Sequence, residues 1–154
     1  MMVTLMACYG GPMDETPQEA ACADSVVLSP SGPHASGTTR GVGPSGLSGS
    51  CAPAALSESF YRFSTGGDGE KPGTLTVAWT SVEPVAVHVH SNCFVGRELS
   101  CESAAQSGKL ELHTKNFPWF LVAIASEKST SYDIDIQFTP CADNDEACAA
   151  LAEQ

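Results

Sequence analysis

The chain has 154 residues, of which 42% are hydrophobic, with 18 Asp and Glu against 7 Lys and Arg for a net charge of -11. That length suits one domain with a core of its own, and no apolar run reaches the ~18 residues a spanning helix needs. The acidic balance argues against a nucleic-acid partner, whose phosphates must be met by positive charge, and against electrostatic docking on anionic lipid.

Seven cysteines stand at positions 8, 22, 51, 93, 101, 141 and 148. None shows the CxxC spacing of a zinc knuckle or a dithiol redox site. Cysteine usage of this kind predicts an oxidising, extracytoplasmic compartment. Six thiols pair and one is left over. Leu5-Met6-Ala7-Cys8 accounts for it: an apolar residue three before a cysteine, and a small one directly before it, resembles the bacterial lipobox. The resemblance implies that Cys8 is acylated and becomes the N-terminus, which makes the membrane a partner through a lipid. Residues 1–7 then read as the end of a signal peptide, although they lack the basic n-region and are shorter than its apolar stretch. Tyr9, where an inner-membrane retention signal has Asp, points to the outer membrane or cell surface. Gly10, Gly11, Pro12 and Pro17 interrupt any periodicity, so residues 8–24 are expected to be a disordered tether.

From residue 58 onward the period is two. Leu75, Val77 and Trp79 share one face, and Val85, Val87 and Val89 repeat the pattern. Leu110 and Leu112 alternate with Glu111 and His113. Residues 120–124 are apolar throughout, as befits a strand covered on both faces. Tyr132, Ile134, Ile136 and Phe138 alternate with Asp133, Asp135 and Gln137. Breaks are expected at Gly66–Gly69, Glu83-Pro84, Ser107-Gly108 and Lys128-Ser129. Short alternating strands predict an all-β fold, an antiparallel β-sandwich or a barrel, over residues 25–140. A tail, 141–154, follows with a short C-terminal helix, Asp143 as N-cap and Glu146 three residues on. Local spacing favours bridges Cys93–Cys101 and Cys141–Cys148, leaving Cys22 with Cys51, though connectivity is not deducible from sequence.

Several side chains are candidates for chemistry. His88 and His90 lie two apart, opposite the valines, and His113 faces outward from another strand. If those strands pair, three imidazoles converge on zinc or copper; otherwise they are solvated surface histidines. Trp119, beside Pro118, and Phe94, between two cysteines, are candidate contacts for a sugar or a protein, whereas Trp79 belongs to the buried face. Gly46-Leu47-Ser48-Gly49-Ser50 misses the nucleophile elbow at its last position. No catalytic residue and no cofactor are assigned, and an enzyme is not expected.

The order of motifs is itself informative: Ser36-Gly37-Thr38-Thr39, Gly49-Ser50-Cys51, Phe60-Tyr61-Arg62-Phe63, Gly73-Thr74-Leu75-Thr76-Val77, His88-Val89-His90-Ser91-Asn92-Cys93, Glu98-Leu99-Ser100-Cys101, Trp119-Phe120-Leu121-Val122 and Ser131-Tyr132-Asp133-Ile134. In this order they resemble the bacterial pre-peptidase C-terminal domain, across about two thirds of the chain. The resemblance implies a jelly-roll-like sandwich on a secreted protein, used as an accessory or binding module. It departs after Cys101, where Glu102-Ser103-Ala104 lacks the paired acids of relatives, so no cation site is carried over. The expected function is a non-enzymatic cell-envelope lipoprotein that binds envelope protein or extracellular polysaccharide. A structural envelope lipoprotein and an accessory factor of a secreted protease are the alternatives.

Overall fold

The computed structural model describes residues 17–39, 49–51, 57–65, 71–93 and 97–152. Among these residues two short helices, α1 (Pro17–Ala23) and α2 (Glu146–Leu151), flank seven strands: β1 (Val26–Leu28), β2 (His34–Thr38), β3 (Ser57–Phe63), β4 (Gly73–Ser91), β5 (Glu98–Thr114), β6 (Phe120–Ser126) and β7 (Ser131–Pro140). The chain is all-β in class, as its alternation predicts.

The long strands β4 and β5 organise the fold. The first half of β4, Gly73 to Ser81, pairs with β7, and β7 with β2. The second half, Ala86 to Ser91, pairs instead with β6, which leads on to β3 and β1. β5 follows β4 along both halves. Two layers therefore share a hairpin that bends between them. Glu83-Pro84 marks that bend rather than a break between strands. Register with β5 shifts between Thr80 and Val85, and a residue without an N–H is tolerated where the ladder is already interrupted. Ser107-Gly108, also expected as a break, lies inside β5. There Gly108 leaves room for the Trp79 ring, which a Cβ would approach to 2.5 Å. One pair, β1 with β3, is parallel, so the sheet is mixed rather than wholly antiparallel.

Alternation determines what each layer turns inward. Leu75, Val77, Trp79, Val85, Val87 and Val89 of β4 meet Phe120, Val122 and Ile124 of β6 and Tyr132, Ile134 and Ile136 of β7 in one core. The opposite face of the β3–β6 layer is covered as well. Phe60, Leu121 and Ala123 pack there with Ala21, Cys22 and Cys93, so every residue of β6 is buried. The cover is α1, in a segment expected to belong to the tether. Ala21 is fully buried, and Cys22 is bonded to Cys93 with a Cα–Cα distance of 5.6 Å. The remaining expected tether, residues 8–16, and the lipid-acceptor position Cys8 lie outside the described residues.

All six downstream cysteines are bonded, but two of the expected pairings are replaced. Cys141–Cys148 forms as local spacing suggests. Cys93 bonds Cys22, not Cys101, and Cys101 bonds Cys51. Each of these bridges pins a covering segment to the same layer, which separation along the chain does not reveal. The tail helix starts two residues later than expected. Asp145, not Asp143, caps it by accepting a hydrogen bond from the Cys148 backbone N–H at 3.0 Å, while Asp143 pairs with Lys71.

Candidate functional site

His88 and His90 occupy the covered outer face of β4. Their phase opposite the valines is as expected, but their exposure is not: His88 is 0% and His90 4% exposed, so neither is a surface histidine. The cover is the segment Gly49-Ser50-Cys51, held by the Cys51–Cys101 bridge and by a hydrogen bond from the Cys51 N–H to Cys101 Sγ at 3.1 Å. Gly49 rests against the His88 ring, where an added Cβ would lie 2.6 Å from Cγ. Only glycine permits so close an approach.

The β4–β5 register supplies the other wall. His88 stands across from Cys101 and His90 across from Glu98. His88 Nδ1 and His90 Nε2 are 2.8 Å apart, with the rings edge-on at 80°. Desolvation lowers the His88 pKa to about 4, with repulsion from His90 adding to it and Glu98 opposing. Desolvation also lowers His90, again opposed by Glu98. Both rings are thereby held neutral at physiological pH. Burial pushes the Glu98 carboxyl up, but two hydrogen bonds from Ser50 and the nearby imidazoles outweigh it, leaving the group below its ordinary range. Those bonds run from the Ser50 N–H at 2.8 Å and from its Oγ at 2.6 Å, one to each carboxylate oxygen. One nitrogen of each ring and one Glu98 oxygen lie within 4.8 Å of one another. His88 Nε2 is buried without a hydrogen-bond partner among the described residues, which ordinarily costs about 1–3 kcal/mol.

His113, the third imidazole expected to join, does not. It is exposed on β5 and its Nδ1 contacts Thr74 Oγ1 at 3.1 Å. Glu98 takes its place. The signal for Glu98 was present in the sequence as a carboxylate eight residues after His90, on the return strand of a hairpin.

Trp119 is half-buried against the Phe60–Leu121 cluster, and the Arg62 guanidinium lies 5.1 Å from its ring centroid. The cation therefore takes one ring face that stacking on a sugar would use. Phe94 lies outside the described residues. Trp79 is buried, 4% exposed, with its Nε1–H directed to the Ala105 carbonyl at 3.4 Å.

A second feature opens at the seam between the layers, where Ser59 Oγ donates to the Thr38 carbonyl at 3.2 Å. A cavity of about 220 Å³ there is lined by Asp24, Ser36, Glu58, Ser59 and the paired Tyr61 and Tyr132, among others. The two tyrosine hydroxyls share a hydrogen bond of 2.6 Å, and Gly37 packs onto them, its Cβ position 2.7 Å from the Tyr132 hydroxyl. Burial raises the Glu58 pKa from 4.5 to about 7. The folded state thus holds a proton that the unfolded chain releases, so stability from this group is complete below pH 4.5 and is lost as pH rises through about 7. Because Glu58 is only half-buried, solvent screening limits the expected loss to about 1–2 kcal/mol. Urea unfolding across that pH range measures it, and Glu58→Gln should remove this part of the slope. A variant with an unchanged slope would show that Glu58 titrates normally.

No family model and no curated protein matches the sequence. Among solved structures, the chain is similar to the Yersinia pseudotuberculosis-derived mitogen, with a TM-score of 0.45 at 15% identity over 73% of this chain and 89% of that one. It is also similar to the pre-peptidase C-terminal domain of a collagenase from Bacillus anthracis, with a TM-score of 0.47 at 5% identity over 73% of this chain and 94% of that one. That domain is of the kind the motif order resembles.

Proposed function

We propose that the chain is a non-catalytic, extracytoplasmic binding module, held at the bacterial outer membrane or cell surface through a lipid on Cys8. Its ligand is a polysaccharide, received by the cavity at the seam of the two layers. The observation that carries this reading is the lining of that cavity: two carboxyls, two serine hydroxyls and a tyrosine pair in about 220 Å³. Such a density of donors and acceptors suits a hydroxyl-rich ligand of roughly one sugar ring, oriented by a few fixed polar groups. Three disulfides support the compartment. A protonatable Glu58 both donates to and accepts from hydroxyls near neutral pH.

The test uses envelope fractions treated with either protease or periodate. Saturable binding should survive protease, disappear after periodate, and weaken about tenfold in Glu58→Gln, a loss of about 1.4 kcal/mol. Binding abolished by protease instead would assign a protein partner and overturn the polysaccharide reading, and no saturable binding would overturn the module itself. Mass spectrometry of the natively expressed protein should find Cys8 acylated; an unmodified thiol there removes the anchor.

A further inference from the structure

We infer that His88, His90 and Glu98 form a binding site for one divalent transition-metal cation of the zinc class, closed by the Gly49–Cys51 segment. The inference is independent of the polysaccharide reading, since the seam cavity shares none of these residues.

The donor set identifies the ion. Two imidazoles and one carboxylate suit zinc and its neighbours, while calcium and magnesium prefer oxygen throughout. The three donor atoms already lie within 4.8 Å of one another. A tetrahedral ion with bonds of about 2.0–2.1 Å sets its ligands about 3.3 Å apart, so the imidazole nitrogens, now 2.8 Å apart, must part by only about 0.5 Å. Neutral rings have lone pairs to offer. In their present contact one ring uses its proton as donor and the other its lone pair as acceptor. Replacing that bond with two metal bonds requires each ring to keep its proton on the far nitrogen, and neither ring need ionise.

The surroundings are those of a supported site rather than of a buried polar accident. Ser50 grips both oxygens of Glu98, as outer groups orient a ligating carboxylate. A disulfide to Cys101, directly across from His88, anchors the segment that supplies Ser50. His88 is fully buried, whereas Glu98 is partly exposed and marks the side by which an ion enters. Three protein ligands leave one position for water or another small donor.

Calorimetric titration of the oxidised, tag-free chain with zinc chloride tests the inference, alongside the visible absorption of bound cobalt. One ion per chain is expected, with zinc displacing cobalt. His90→Gln and Glu98→Gln should each weaken binding by at least about tenfold, and Ser50→Ala, which keeps all three ligands, by roughly tenfold as well. His34→Gln, His113→Gln and Glu58→Gln should bind as the parent does. Absence of stoichiometric uptake would overturn the inference. So would unchanged affinity in both Glu98→Gln and Ser50→Ala, or loss of binding in His34→Gln or His113→Gln. Should His90→Gln fail to fold, the more exposed Glu98 and Ser50 variants still decide the question.

Discussion

Replacing Cys22 and Cys93 together with serine should lower stability by about 4 kcal/mol. The bridge spans 71 residues, and cutting so long a loop frees much of the unfolded chain's entropy. The same operation on Cys141 and Cys148, only 7 apart, should cost about 2 kcal/mol. The difference is not only in the unfolded state. Without the long bridge, the apolar hold of α1 on the sheet rests on Ala21 and its packing with Phe60 and Leu121. A seven-residue helix is far too short to persist alone. Thermal unfolding should therefore drop by roughly 10 °C for the long-bridge variant, with early proteolysis near α1. Equal losses for the two variants would contradict this account, as would a non-reduced digest that yields Cys93 joined to Cys101.

Phe120→Ala should be nearly as damaging, at about 4 kcal/mol. The ring is fully buried, stacked on Phe138 at 5.9 Å and edge-on to Phe117 at 5.9 Å. It sits between Phe63 and Ser91 in register, in the core that both layers enclose, so its removal leaves a cavity the rigid sheets cannot close. Leu121→Ala, one residue on, faces α1 instead. A short helix can settle inward, and the expected loss is nearer 2–3 kcal/mol. Urea denaturation of both variants, read as midpoint shifts at constant slope, tests the ordering. Were Leu121→Ala the worse of the two, α1 would be the firmer wall and the assignment of the main core would be mistaken.

These losses also bear on the proposed metal site. His88 lies beside Ala123 and His90 beside Leu121 on the covered face, so α1, the Gly49–Cys51 segment and the two imidazoles share one layer of packing. Loosening α1 is expected to expose that layer before the central core opens.

Which side chains face together was readable from residue order alone. Leu75, Val77 and Trp79, the three valines of β4 and the Tyr132–Ile136 series had to share faces, because a strand turns successive side chains to opposite sides. His88 and His90 were in phase for the same reason, and the fully apolar run of β6 announced two covered faces. Whether the second face of β4 met water or protein was not readable. That depended on Gly49, Ser50 and Cys51, some 40 residues earlier, being carried over the histidines by a bridge to Cys101. Partner choice among cysteines, the parallel β1–β3 pair and the replacement of His113 by Glu98 were likewise tertiary decisions. Periodicity encodes a direction from the backbone, while burial, pairing and ligand geometry depend on what distant chain arrives on that side.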